Sequence, residues 1–233
     1  MLDVIREWLE RRRAGQAIDW QHAPTPKLAD DRPLSNARLV VLDLETTGLN
    51  AGRDEVIAIG AVAIQGEQIH LDDQFDLVLR RPELDIRETV LIHGIGPEAL
   101  THGHETEDAL LRLLDWMNGD PILAYHAAFD KKFLEKTLKQ QLGYTRSHTW
   151  LDVAELLPAF FPDASPGGHG LDHWADHFGL DISARHNAAA DALVTAELTL
   201  AALNKAHKTG VNTLKALHDK LRYQRQLKNM KRM

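Results

Sequence analysis

The chain of 233 residues is 44% hydrophobic and 26% charged, which is typical of a folded domain with a sizeable core. It contains no cysteine, so disulfides, thiolate metal ligands and cysteine nucleophiles are excluded, and a bound metal must take oxygen or imidazole ligands. No apolar run approaches the roughly 20 residues that a membrane span needs. Because the charged N-terminus also differs from a signal peptide, we expect a cytoplasmic protein without membrane contact.

The net charge of −7 is distributed unevenly along the chain. Residues 204–233 carry nine Lys or Arg and one acid, whereas the remaining residues carry 18 basic and 33 acidic side chains. An acidic body with a basic tail is typical of proteins that contact nucleic acid or an acidic partner. A solvated amphipathic helix explains the tail equally well, so both interpretations stay open.

The first predicted element is a short amphipathic helix over residues 2–14, and a proline-containing linker follows over 21–36. Aliphatic and β-branched runs then predict strands over 37–44, 55–65 and 74–80. The connections between these strands are short, which favours antiparallel pairing.

The second half of the chain has mostly helical spacing of its apolar residues. The predicted segments are a helix over 105–118, a strand over 121–125, and helices over 129–142, 151–160, 171–178, 187–206 and 212–230. Three strands, then helix–strand–helix, then helices predict an α/β domain with a mixed central sheet flanked by helices.

Two acids stand where the first strand ends. Asp43 and Glu45 are two residues apart, so the alternation of a strand places both carboxylates on one face. Two carboxylates so close repel each other unless a cation lies between them, and Mg²⁺ or Mn²⁺ favours such oxygen ligands. The next residues, Thr46-Thr47-Gly48, predict a tight turn whose backbone N–H groups are candidates for contact with a phosphate or a sugar hydroxyl.

Two further acids and one histidine lie farther along the chain. Asp130 falls in the first turn of a predicted helix, where an acid can also serve only the helix dipole. His186 and Asp191 are five residues apart and cannot share a helical face. We therefore expect Asp191 on the inward face of a helix and His186 on the preceding loop, where a histidine can act as a general base.

In this order the motifs resemble those of the DEDD superfamily of 3′→5′ exonucleases, His subtype, and particularly the proofreading ε-subunit type of bacterial DNA polymerase III. The resemblance covers residues 37–203 and is carried by DLETTG from Asp43, HGI from His93, FD at 129–130, and HNAAADA from His186. Relatives often read HNAAFD where residues 125–130 read YHAAFD, which leaves the substrate preference open.

The resemblance implies a ribonuclease H-like fold and a two-metal phosphodiester hydrolase that uses Mg²⁺ or Mn²⁺. The implied metal-binding and catalytic carboxylates are Asp43, Glu45, Asp130 and Asp191, with Asp43 shared between the two ions. The implied general base is His186. The terminal nucleotide is expected near Thr46, Leu49, His93 and Phe129.

We therefore expect an exonuclease domain over residues 37–206, preceded by an N-terminal helical extension and linker over 1–36, and followed by a basic C-terminal helix over 207–233. The expected activity removes nucleoside 5′-monophosphates from the 3′ ends of DNA, on single strands or frayed ends, in proofreading or repair. The expected partners are single-stranded DNA 3′ ends and, as candidates, DNA polymerase III or repair proteins, although the chain lacks a clamp-binding segment such as Gln-Leu-x-Leu-Phe. The alternatives are an RNA-directed 3′→5′ exoribonuclease and an inactive module that tethers nucleic acid or a polymerase.

Overall fold

A computed structural model of the protein describes residues 20, 23–84, 86, 89–164, 170–182 and 185–230, with the side chains of 227–229 excepted. The helix predicted over 2–14 lies outside the described residues. Among the helices that are described, none is long and apolar enough to cross a membrane.

Five strands form one mixed sheet in the order β3-β2-β1-β4-β5. They are β1 (Arg38–Thr46), β2 (Val56–Gln65), β3 (Gln68–Val78), β4 (Ile122–Ala124) and β5 (Trp150–Asp152). The predicted antiparallel pairing of the first three strands is confirmed, and β4 runs parallel to both β1 and β5. The third strand begins six residues before its predicted start at Gln74, because its first half is a polar, largely exposed edge without an apolar alternation.

Helices cover both faces of this sheet. They are α1 (Val90–His93), α2 (Pro97–His102), α3 (Thr106–Met117), α4 (Ala128–Leu142), α5 (Val153–Phe160), α6 (Leu171–Phe178), α7 (Ala188–Lys208) and α8 (Leu214–Met230). The helix predicted from residue 151 in fact begins at Val153, because Trp150–Asp152 pairs with β4 as an edge strand. Asp152 caps α5 by accepting the Ala154 N–H at 2.9 Å, which fixes where the strand ends and the helix starts.

The alternation of β1 divides the core into two layers. Leu39 and Val41 pack on the side of α5, α6, α7 and α8, whereas Val40, Leu42 and Leu44 pack against α3 and α4. Both layers are closely buried, which holds the central strand rigidly in position. Since side chains alternate along a strand, Asp43 and Glu45 continue the face that looks toward α7.

The described segments on either side of the sheet domain pack against it. Lys27, in the proline-containing segment, forms an ion pair with the buried Asp120 at 2.5 Å, and Arg38 of β1 pairs with the same carboxylate at 3.2 Å. The basic helix α8 is anchored through three buried leucines, Leu214, Leu217 and Leu221. Its fourth predicted apolar side chain, Leu227, lies outside the described side chains. The proposed division of the chain at residues 37 and 207 stays a prediction.

Candidate active site

The first two acids lie at the carboxyl end of the central strand. Asp43 stands opposite Gly60 and Glu45 opposite Ala58 on the antiparallel neighbour β2. The register shifts between Glu45 and Thr46, and β1 ends at Thr46, one residue after the second acid. Because β1 and β4 are parallel, the loop that follows β4 emerges at the same edge and brings α4 toward these acids.

Asp191 reaches this edge because α7 approaches the sheet unusually closely. A Cβ atom on Gly60 would lie 2.1 Å from the Ala188 carbonyl carbon, a separation that no real side chain tolerates. With glycine at that position, the first turn of α7 rests directly on β2 and projects Asp191 toward β1. Carboxylate oxygens of Asp43, Glu45 and Asp191 consequently lie within 4.8 Å of one another.

The role of Gly60 is a structural finding that the motifs did not predict. A glycine within an otherwise apolar strand marks a bulge or a close backbone approach, and the run EVIAIGAVAIQ at residues 55–65 carries that signal. The sequence does not show which element makes the approach.

Asp130 lies beside this trio and is not part of it. It is buried at 3% exposure in the first turn of α4, on the opposite layer from α7. Its charge nevertheless acts on Asp43, where it is the strongest of the neighbouring carboxylates. The four predicted acids therefore form one electrostatic unit, in which three share a compact set of ligand atoms and the fourth adjoins Asp43.

Burial and mutual repulsion raise the pKa values of these acids. Burial, followed by repulsion from Asp130 and Asp191, raises the pKa of Asp43 well above its usual range. Burial and then the charge of Asp191 raise the pKa of Glu45 to about 7. For Asp130 burial dominates and raises the pKa to about 8, although backbone N–H groups oppose the shift. The positive charge of Arg185 opposes the shifts at Asp43 and Glu45 and does not cancel them.

The predicted position of His186 on a loop is confirmed. Helix α7 begins at Ala188 with Asn187 as its N-cap, and His186 precedes the cap with a left-handed φ of 59°. Its backbone N–H donates to Oδ2 of Asp191 at 3.0 Å, and its side chain is exposed. The loop is thus tied to the carboxylate group while the imidazole stays accessible to water.

His93 ends α1 and is buried at 8% exposure. Its Nδ1 accepts the Ile95 N–H at 3.1 Å, whereas its buried Nε2 has no hydrogen-bond partner among the described atoms. Burial, reinforced by the nearby His186, lowers the pKa of His93. The structure therefore brings His93 close to the predicted general base as a neutral ring.

The remaining predicted substrate contacts differ in their surroundings. The Thr46 hydroxyl donates to the Gly48 carbonyl at 2.7 Å, and Leu49 is 87% exposed. Phe129 is partly buried against Phe133, with ring centroids 4.7 Å apart. The Thr47 N–H already donates to a backbone carbonyl within the protein, so the predicted phosphate contact through this N–H is not available.

Arg185 is a site residue that the motif analysis did not identify. Its guanidinium donates to Oδ1 of Asp191 and, through Nε, to Oδ1 of Asp172 at 2.5 Å. Its position next to His186 was visible in the sequence, yet one arginine among 27 basic residues carries no distinguishing local pattern.

The cluster has the donor set of a divalent-cation site. Hard cations such as Mg²⁺ and Mn²⁺ prefer carboxylate oxygens, and buried carboxylates with raised pKa values gain most from such a charge. Their ligand atoms are close enough to share one ion. The fold and the site together define an α/β domain with a mixed central sheet and a carboxylate cluster that has the donor set for a divalent cation.

Comparison with known proteins assigns the family. The chain belongs to the exonuclease family, whose model matches residues 40–199. It is 34% identical over 187 residues to the PolC-type DNA polymerase III of Thermotoga maritima, which covers 80% of this chain and 13% of that protein. The PolC-type polymerase of Bacillus subtilis is 29% identical over 195 residues, which is 83% of this chain and 13% of that protein. The chain thus spans about an eighth of the length of these relatives.

Solved structures confirm the predicted fold. Escherichia coli exonuclease I in complex with a dT13 oligonucleotide matches with a TM-score of 0.63 and 16% identity, over 75% of this chain and 42% of that chain. The same enzyme with a dA16 oligonucleotide matches with a TM-score of 0.65 and 17% identity, over 74% and 42% of the two chains. At these identities the likeness establishes the ribonuclease H-like fold.

Proposed function

We propose that this chain is a metal-dependent 3′→5′ exonuclease that releases nucleoside 5′-monophosphates from DNA. The observation that carries the proposal is the convergence of three carboxylates within 4.8 Å, next to a fourth acid and an exposed histidine. The PolC-type relatives and the oligonucleotide complexes of exonuclease I support DNA as the substrate class. Proofreading or repair, with a polymerase or repair proteins as partners, and a cytoplasmic location complete the proposal.

The carboxylates would hold two divalent cations, Mg²⁺ or Mn²⁺. Asp43, Glu45 and Asp191 offer the compact ligand set, and Asp130 would hold the second ion from its place beside Asp43. When bound, such ions activate water and stabilise the leaving 3′ oxygen of a phosphodiester.

His186 would accept the proton of the attacking water. The backbone bond from His186 to Asp191 fixes the base relative to the carboxylates. Its exposed imidazole can exchange that proton with solvent after each cleavage. On this proposal the loop gives both position and access, which a buried histidine on a helix would not give.

The terminal nucleotide would bind beside the carboxylates, among the exposed Leu49, the buried His93 and the partly buried Phe129. Leu49 presents an apolar side chain directly after the first motif, and the His93 Nε2 offers a polar atom that has no partner among the described residues. Thr46 and Phe129 would border the sugar. Closure of this pocket around a terminal hydroxyl would make cleavage start at the 3′ end.

Labelled oligonucleotides test the activity. Single strands of DNA and of RNA, labelled at either end, are incubated with the full chain and Mg²⁺ or Mn²⁺. A 3′ label should appear at once as mononucleotide, while a 5′ label should yield a descending ladder. DNA should be cut faster than RNA, and the reverse order would assign the chain to the exoribonuclease alternative.

Matched variants separate catalysis from folding. Asp43→Asn should abolish release, whereas Asp72→Asn, whose side chain is 93% exposed, should retain it. His186→Gln should lower the rate by about 10²–10⁴-fold while Mn²⁺ and strand affinity persist. Strand binding without cleavage by the wild type would favour the inactive tethering module, and loss of Mn²⁺ binding in His186→Gln would make His186 a ligand.

A further inference from the structure

Arg185 joins the first turns of two helices at the edge of the candidate active site. Its Nε donates to Asp172 in the first turn of α6 at 2.5 Å, and its Nη1 donates to Asp191 in the first turn of α7. The side chain is 30% exposed, so part of it also reaches solvent. The arginine is therefore held by one carboxylate outside the metal-ligand set and one inside it.

Both oxygens of Asp191 are engaged in this arrangement. Oδ1 accepts the Arg185 Nη1–H, and Oδ2 accepts the backbone N–H of His186. A divalent cation that binds Asp191 together with Asp43 and Glu45 would meet the guanidinium at the same carboxylate. Two cations on one carboxylate repel each other strongly in a partly buried site, so Arg185 and the metal compete for Asp191.

The contact with Asp172 would hold Arg185 beside the site after the metal binds. The bond from Nε to Asp172 does not involve the metal ligands, and it would leave both terminal nitrogens available to another acceptor once Asp191 binds the metal. A guanidinium presents its N–H groups as a fork that matches the oxygens of a phosphate. The phosphate of a strand bound beside His186 and Asp191 would lie within reach of that fork.

We propose that Arg185 alternates between two partners: Asp191 in the metal-free protein, and a phosphate of the bound strand once a divalent cation occupies Asp191. The bond from Arg185 to Asp172 is kept while the other partner changes. The inference deepens the proposed function and rests on it, because it assumes that Asp191 is a metal ligand and that the strand is a phosphodiester.

Metal binding without nucleic acid tests whether Arg185 and the divalent cation compete for Asp191. Mn²⁺ is titrated into the full chain and free Mn²⁺ is followed by electron paramagnetic resonance. Arg185→Gln should bind Mn²⁺ about tenfold more tightly than the wild type, because a competing positive charge is removed. Arg185→Lys keeps the charge but lacks the fork that spans two carboxylates, and should fall between them. Arg32→Gln, which removes a partly exposed arginine paired with Asp30, should leave the affinity unchanged.

Strand affinity tests whether Arg185 contacts a phosphate of the bound strand. With saturating Mn²⁺, Arg185→Gln should raise the KM for a short DNA strand about tenfold, and its salt dependence should lose roughly the 0.7 slope unit of one phosphate contact. Arg185→Lys should restore part of the affinity, because an ammonium still binds a phosphate as a point charge.

The outcomes distinguish this inference from the proposed function. Unchanged or weaker Mn²⁺ binding by Arg185→Gln in a protein of wild-type circular dichroism would overturn the competition. Tighter Mn²⁺ binding with an unchanged KM and salt slope would overturn the phosphate contact. A wild type that binds no Mn²⁺, or binds it equally well as Asp43→Asn, would refute the proposed function itself. If Arg185→Gln does not fold, Arg185→Lys carries both measurements with the same signs.

Discussion

Gly60→Ala is the substitution that most directly tests how the fold assembles the candidate site. The added methyl group would lie 2.1 Å from the Ala188 carbonyl carbon and 2.2 Å from the Ala189 nitrogen, while ordinary contact begins at 3.4 Å. Both neighbours are backbone atoms of α7, so no side-chain rotation relieves the overlap. The first turn of α7 must instead move away from β2 by roughly 1.3 Å, taking Asp191 with it.

The expected consequences follow from that displacement. Misplacement of a catalytic group by about 1 Å can reduce the rate by roughly 10²-fold, so we expect a loss of that order in mononucleotide release. Mn²⁺ affinity should fall as well, because one of three converging ligands recedes. Overpacking of this kind typically destabilises the folded state by about 1–3 kcal/mol, which a domain of this size should survive.

The assay compares single-turnover release of a 3′-labelled nucleotide with the denaturation midpoint and the far-ultraviolet circular dichroism of the same preparation. Gly170→Ala is the matched control, because Gly170 has a φ of −81° and a Cβ there would meet no atom of the described part of the chain within 4 Å. If Gly60→Ala kept wild-type rate and Mn²⁺ affinity in a folded protein, the close approach at Gly60 would not set the position of Asp191.

Three further predictions concern the site charges, a buried histidine and the basic helix. The site acids have raised pKa values, so the metal-free fold should lose stability as the pH rises from about 5 to about 8. Mg²⁺ should then raise the melting temperature more at pH 8 than at pH 5.5, and a pH-independent increase would contradict this reasoning. Burial lowers the pKa of His148 from its ordinary value of 6.5 to about 4. As the pH falls below 6.5, His148 therefore takes up a proton in the unfolded chain before it does so in the folded protein. The fold should lose about 2–3 kcal/mol between pH 7 and pH 4.5 through this group, a loss that urea titrations should find absent in His148→Gln. Deletion of residues 208–233 would remove the three buried leucines of α8 and so disturb the fold. The double substitution Lys215→Gln with Arg222→Gln, at two exposed positions, is therefore the better test of whether α8 binds the strand. This pair should weaken strand binding and flatten its salt dependence, whereas an unchanged slope would leave α8 as a packing or partner surface.

Several features of the site could be predicted from local sequence because they depend on local geometry. The alternation of a strand is enough to place Asp43 and Glu45 on one face. Five residues along a helix turn too far for one face, which places His186 on a loop before Asp191. Long apolar runs likewise predict the central strands and the principal helices.

Short or polar elements could not be predicted in the same way. The three residues of β5 merge with the apolar pattern of α5, and the first half of β3 exposes polar side chains at the sheet edge. The helices α1 and α2 have four and six residues, too few to show a helical period. These elements exist because neighbours supply their hydrogen bonds and burial.

The sequence by itself determined which groups make up the candidate site: four acids and one histidine in a defined order. The periods of the strand and the helices that carry them also determined on which face of its own element each side chain lies. Only the tertiary structure decided how they meet. The absent side chain of Gly60 lets α7 rest on β2 and brings Asp191 to Asp43. Arg185 shares Asp191 with Asp172 across two helix ends. The physical reason is that periodicity reports the direction of a side chain within its own element, whereas the distance between elements depends on the side chains packed between them.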